Sequence, residues 1–254
     1  MLHDLLAVNI YKLIVLFARL GTVMMLLPGL ASTVVYARAR LVLALLVAFL
    51  LVPTLGSKLP DMPPDPLGLF LLILREATVG AFLGMVAQIL MVPMDFAGST
   101  IGYAVGLTNM FTYDPITEQQ SQLMTGFLNM VAVALVFVTD SHHLMLRAIA
   151  DSYALFAPDA DLLTGDLSQH LTRVLGDSFV TGFRLASPLL VFSLAFNTGL
   201  GLLNRLVPQI PVYFVGLPIQ IMGGLAILAI SLPAIMLGVI NHLQDGLAPF
   251  LGDR

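Results

Sequence analysis

From Val212 to Ile240 the chain carries no charged residue, a run longer than the roughly 20 residues that one membrane crossing needs. Pro218, Gly223-Gly224 and Pro233 divide it, so a bent or broken helix is expected there rather than a straight rod. Comparable apolar stretches recur along all 254 residues. Only 10% of the chain is charged against 58% hydrophobic, and the mean hydropathy is +0.96. Ordinary soluble chains carry about 25% charged residues, so this one cannot cover a globule of its size. It reads as a helical membrane protein or part of a membrane-embedded assembly. No substantial polar block separates the apolar segments, which predicts one unit over residues 1–254. The net charge of −4 is spread thinly and leaves no basic footprint for nucleic acid. Without cysteine the chain has neither disulfides nor thiolate chemistry.

In chain order, Leu5–Leu27 is the first apolar segment, with Lys12 and Arg19 inside it. Lys12 can snorkel, but Arg19 lies near the middle and needs a partner or an aqueous wall. Pro28-Gly29 ends the segment, Arg38 and Arg40 open the short Leu41–Val52 run, and a Pro-rich turn fills Pro53–Pro66. The third segment, Leu67–Val92, carries Arg75-Glu76. Glu76, Gly80, Gly84 and Gln88 follow at intervals of four, a polar and small-residue stripe suited to packing against protein. Glu76 is either the satisfied partner of a buried arginine or a proton-relay carboxylate. Pro93 and Asp95 interrupt the helix before the next stretch. Beyond it come Leu123–Val138, the polar Thr139–His143 and an apolar return over Leu144–Ile149. Asp151–Asp177, with Leu163, Leu167, Leu171 and Val174 on one face, is expected to be an amphipathic helix outside the hydrocarbon. Ser178–Leu203 regains membrane character, and Asn204-Arg205 with Pro208–Pro211 makes a polar break before the final run.

The stretch Ala97–Gln122 differs from the rest. Gly98, Gly102 and Gly106 recur every fourth residue and clear one helix face for close approach of another backbone. Met110, Phe111 and Tyr113 follow, then Asp114-Pro115, where proline restricts its neighbour and removes an N–H. Irregular backbone at membrane depth is tolerated where protein buries it or where it lines a cavity. This apolar loop is therefore expected to face a pore or a subunit interface; an ordinary exposed connection is the alternative.

Catalytic patterns are missing: there is no HExxH pair, no GxSxG elbow and no Gly-rich phosphate loop. Tyr113-Asp114 is similar to half of an intramembrane aspartyl protease, but Leu163-Thr164-Gly165-Asp166 lacks the glycine its second half would need. No catalytic residue, cofactor or metal is assigned. His142 and His143, being adjacent, should point about 100° apart on a helix and so cannot share an ion as an i,i+4 pair does. Glycine-lined faces, isolated buried charges and an occluding loop fit a secretion-channel subunit. They also fit an ion-coupled secondary transporter with discontinuous helices.

The residues further resemble the FliR proteins of the flagellar type III export gate, whose virulence-secretion counterparts are the SctT proteins. The resemblance runs through Arg19 and Pro28, Arg75-Glu76 with Gly80 and Gly84, and Ala97-Gly98 with Gly102 and Gly106 leading to Asp114-Pro115. It continues in Phe127-Leu128, Asp140-Ser141-His142, Ala150–Tyr153, Arg205, Pro208-Gln209, Phe214, Gly216-Leu217-Pro218 and Gly224. Ser141 stands where the family commonly has glycine, and Thr117-Glu118 replaces a small turn. The resemblance implies an all-α, polytopic membrane subunit of tilted helical hairpins and broken helices. It implies a non-enzymatic role in a multi-subunit gate with FliP-like, FliQ-like and FlhB-like subunits, in contact with lipid. The location would be the bacterial inner membrane and the flagellar basal body, and the cargo unfolded flagellar proteins. Carried over to this chain, the plug is the loop after the glycine helix, from Gly106 through Met110, Phe111, Tyr113, Asp114 and Pro115. Gly80, Gly84, Gly98 and Gly102 are the expected packing positions, and Arg19, Arg75, Glu76 and Arg205 the expected buried charges.

Overall fold

The computed structural model describes residues 2–31, 35–107, 122–158, 164–209 and 211–252. Within them the chain is helical, with no strand among the described residues. Among the described residues eight α-helices follow one another: α1 Leu2–Leu26, α2 Ala37–Leu55, α3 Pro66–Ile89, α4 Val92–Val105, α5 Gln122–Val138, α6 Ser141–Leu155, α7 Thr164–Leu206 and α8 Val212–Leu247. A 3-10 turn, Ala248–Phe250, closes the series. Five helical stretches are long and apolar enough to cross a membrane, or six if the broken pair α5 and α6 counts as one. The protein is thus an all-α polytopic membrane protein.

The helix ends follow local chemistry. Pro66 and Pro93 occupy the first turns of α3 and α4, where a missing N–H removes nothing the helix would use. The break between α3 and α4 accordingly falls at Leu90-Met91, just ahead of Pro93. Helix α4 stops at Gly106, whose φ of 83° turns the chain into the left-handed region while its N–H bonds the Tyr103 carbonyl at 3.0 Å. Asp140, with φ 56° and ψ 16°, is the non-glycine residue with positive φ among those described, and it separates α5 from α6. Aspartate tolerates this geometry better than most side chains.

One expectation changes and another narrows. Asp151–Asp177 does not form a helix of its own: its first residues close α6, which ends at Leu155, and from Thr164 it is the first part of the 43-residue α7, which runs on through Ser178–Leu203. Of the expected apolar face, Val174 is buried and Leu167 and Leu171 are half-buried, while Leu163 lies outside the described residues; neither Gly176 nor Asp177 ends the helix. Of the bent or broken helix expected at Val212–Ile240, the break is excluded: α8 is continuous through Pro218, Gly223-Gly224 and Pro233. Proline is tolerated inside apolar helices where other groups satisfy the freed carbonyl.

The chain divides into two compact units, both discontinuous in sequence. The first comprises Met1–Leu90, Asp140–Leu175 and Leu243–Arg254. Its core is built on α1, whose Val15, Leu16, Leu20, Val23 and Met24 are buried at helical spacing, together with Val79, Phe82, Leu83 and Val86 of α3. Helix α2 packs on α1 and buries Ala44 and Ala48, two small residues four apart. The second unit comprises Met91–Thr139 and Gly176–His242. In it α4 packs on α5, and the parts of α7 and α8 that belong to it run antiparallel. Gly216 of α8 faces Leu200, Gly223 faces the Phe192 ring and Gly238 faces Leu185.

Candidate functional site

Arg19 is the charge that the first unit is built to hold. It sits two turns before the end of α1 with no exposed surface, and Glu76 of α3 is equally sealed. The two meet side by side: Arg19 Nε donates to Glu76 Oε2 at 2.8 Å and Nη2 donates to Oε1 at 2.9 Å. Such a two-point pairing of guanidinium and carboxylate fixes orientation as well as charge. Nη1 donates to Ser152 Oγ at 3.1 Å and Nη2 also to the Phe156 carbonyl at 2.8 Å. Four of the five guanidinium N–H groups are thereby used. The Tyr153 ring lies 3.8 Å from Arg19 Cζ, a cation–π contact on the remaining face. The cluster is closed, with the guanidinium and carboxylate paired and the Tyr153 hydroxyl buried without a hydrogen-bond partner among the described residues, and it ties α1 and α3 to the end of α6. Arg75, adjacent to Glu76, is only half-buried and donates instead to the Ala157 carbonyl at 3.3 Å.

Glycine spacing decides how closely the helices approach. A Cβ placed on Gly80 would come within 2.5 Å of the Arg19 carbonyl oxygen, and one on Gly84 within 2.6 Å of Leu26 Cβ. In the second unit, a Cβ on Gly98 would lie 2.5 Å from Thr125 Cα. Gly102 is different, since its nearest neighbour would be Met124 Cβ at 3.4 Å, an ordinary contact. Gln88, expected on the same stripe as Glu76, Gly80 and Gly84, is exposed. Each four-residue step drifts by about 40°, so three steps carry Gln88 roughly 120° away from Glu76.

Helix α4 ends in a fixed root. Gln220 of α8, buried within the bilayer-length helix, donates its amide to the Ala104 carbonyl at 3.0 Å. Gly106 lies against Leu217 and Gln220, where an added Cβ would approach Leu217 Cδ1 to 3.4 Å. Of the loop residues singled out by sequence, Met110, Phe111, Tyr113, Asp114 and Pro115 lie outside the described residues. Sequence reasoning missed Gln220, although an amide inside an uncharged apolar run was the available signal. It also passed over the pairing of Asp95 with Asn129, whose Nδ2 donates to Asp95 Oδ1 at 2.6 Å.

Arg205 is not a buried charge within this chain. It is exposed in the last turn of α7, where a cation complements the partial negative charge of the helix C-terminus. The histidine pair also departs from expectation: the rings of His142 and His143 stand 4.1 Å apart rather than splayed. Asp140 Oδ1 lies 3.4 Å from His143 Nδ1, with both side chains largely exposed.

The chain matches the family of bacterial export proteins, family 1, over residues 10–246. It is 33% identical over 229 residues to flagellar biosynthetic protein FliR of Caulobacter vibrioides, covering 90% of this chain and 91% of that one. It is 27% identical to FliR of Bacillus subtilis, with 90% and 88% covered, and 26% identical to FliR of Escherichia coli K12, with 89% and 85% covered. An all-α membrane chain matched from α1 to the end of α8, at this level and over this length, belongs to bacterial export proteins, family 1, the family of the FliR proteins.

Proposed function

We propose that this protein is a component of the flagellar export apparatus and, more narrowly, a non-enzymatic channel subunit of its type III export gate. The observation that carries this is the family match over residues 10–246, which leaves little of the chain outside it. Incomplete burial supports the multi-subunit part. In the most apolar 18 residues of Gly165–Leu206 only 17% are buried within the chain, and in those of Val212–Phe250 only 33%. Phe183, Leu194, Leu202, Phe214, Met222 and Ile230 stand exposed on these helices, a surface for lipid and for further subunits. The partners are FliP-like, FliQ-like and FlhB-like proteins, the cargo is unfolded flagellar protein, and the site is the inner membrane at the basal body. Gly80, Gly84 and Gly98 serve close helix packing within this subunit. Residues 106–122, with Met110 and Phe111 as the apolar stopper, plug the path at rest, since apolar constrictions seal by dewetting and open without breaking fixed hydrogen bonds.

Extraction in mild detergent should bring this chain out in a large complex with FliP-like and FliQ-like proteins. Recovery as a folded, transport-competent monomer would overturn the channel assignment. Deleting Leu107–Thr117, or changing Met110 and Phe111 together to serine, should leave the complex assembled but raise ion conductance and small-solute uptake in cells. An assembled mutant gate as tight as wild type would return this loop to the role of a connection.

A further inference from the structure

Helix α4 exposes only three of its residues, Asp95, Ser99 and Tyr103. Each carries a polar group, and at intervals of four they form one line along the helix. In the first unit, α6 and the start of α7 also turn polar residues outward, among them His143, Arg147, Asp166 and Arg173, but the exposed helix faces of the second unit, to which α4 belongs, are otherwise mostly apolar. Helix α5, the packing partner of α4, turns Leu123, Phe127, Met130, Phe137 and Val138 outward. The exposed line of α4 is therefore not a sample of an average membrane surface.

The carboxylate sharpens the point. Asp95 lies inside the 40-residue apolar stretch Pro66–Val105, and no cation pairs with it among the described residues. Its hydrogen-bond partner among the described residues is the neutral amide of Asn129 on Oδ1, although an ionised carboxylate offers about four acceptor positions. The Ser99 hydroxyl donates to the Phe96 carbonyl at 3.0 Å and keeps acceptor capacity of its own. Ionisable groups within membrane segments face a protein interior or a water-filled cavity, because hydrocarbon leaves their remaining lone pairs unsatisfied.

We infer that the Asp95–Ser99–Tyr103 line of α4 faces water in the assembled gate, as part of the wall of its aqueous path, and that Asp95 makes this wall attractive to cations. The inference rests on the channel reading above and adds the face of this subunit that the path runs along. A lipid-facing role would put an unpaired carboxylate and a tyrosine hydroxyl in hydrocarbon while the apolar face of α5 went unused.

The chain contains no cysteine, so single cysteines report on one position of this subunit each. Ser99→Cys and Tyr103→Cys, with Phe127→Cys and Met130→Cys as comparisons, are introduced into the intact gate and treated in opened membrane vesicles with membrane-impermeant methanethiosulfonate reagents. Ser99→Cys and Tyr103→Cys should be modified about ten-fold faster than the two α5 positions. A cationic reagent should modify Ser99→Cys a few-fold faster than an anionic one, because Asp95 lies one helical turn away, within the roughly 8 Å Debye length of physiological salt. Adding Asp95→Asn should bring that ratio close to one. Either cysteine position suffices if the other variant fails to assemble. Slow modification at α4 in a gate that assembles and supports motility would overturn the inference and leave the channel reading standing. Fast modification in a chain that extracts without other subunits would overturn the channel reading and, with it, the placing of this line on the wall of a gate.

Discussion

The apolar stretch Pro66–Val105 holds two carboxylates, and the protein treats them in opposite ways. Glu76 is sealed, paired at two points with Arg19, and backed by Ser152, Tyr153 and the Phe156 carbonyl. Asp95 is exposed and meets one neutral amide. A charge in an apolar helix must be either neutralised inside the protein or kept hydrated. The first solution makes a fixed point around which helices assemble. The second leaves a group free to act on whatever passes, so the two acids differ in what their removal should disturb.

The largest effect is expected at the sealed pair. Glu76→Gln or Arg19→Met alone leaves one buried partner without its counterion and should cost about 3–5 kcal/mol, seen as lost complex or a sharp fall in thermal stability of the extracted assembly. Replacing both at once, Arg19→Met with Glu76→Leu, should cost less than either single change, because no uncompensated charge remains. If the double variant were worse than both singles, the pair would be more than a fixed point, and the contrast with Asp95 would narrow.

The need for such a pair was legible in the chain. An arginine in the middle of an apolar run must find a partner, and Glu76 was the acid with small residues spaced beside it. The choice between arginines was not legible, because Arg75 sits next to Glu76 in sequence but on another side of α3, whereas Arg19 arrives from a different helix. The exposure of Arg205 was hidden for a related reason: a family motif marks a position without saying whether this chain or another covers it. The unbroken α7 was hidden because an amphipathic pattern reports which side of a helix is covered and not where the helix stops. The fold class itself needed little beyond the apolar runs. Met110 and Phe111 were conspicuous from sequence, while the end of α4 is held by Gln220, which is 116 residues from Ala104.

A middle-sized effect separates the glycines. Gly80→Ala and Gly98→Ala would drive a methyl group into backbone atoms, at Arg19 O and Thr125 Cα respectively, and should each cost roughly 1–3 kcal/mol. Gly102→Ala meets only Met124 Cβ at ordinary contact distance. Alanine gains about 0.5–1 kcal/mol over glycine inside a helix, so this variant should be neutral or slightly stabilised. Gly126→Ala, with nothing within 4 Å, should behave the same way. Thermal stability and recovery of the extracted complex measure all four. Equal tolerance at Gly80 and Gly102 would mean that the α1 and α3 backbones can separate, and that the sealed pair is less rigid than its geometry implies.

The smallest effect on stability is expected where the charge is hydrated. Asp95→Asn keeps the shape of the side chain and an oxygen that can still accept from Asn129 Nδ2, so the one polar contact between α4 and α5 at this point survives. What disappears is a charge that water, rather than a buried cation, was balancing. Exposed substitutions of this kind usually change stability by no more than about 0.5 kcal/mol. The complex carrying Asp95→Asn should therefore be recovered in wild-type yield and unfold at nearly the wild-type temperature, beside a Glu76→Gln complex that does not. The chemical change at the two positions is the same, carboxylate to amide, which isolates the environment as the variable. If Asp95→Asn destabilised the assembly as severely as Glu76→Gln, then Asp95 would have to be paired with a cation on another subunit, and both acids of this helical stretch would be structural.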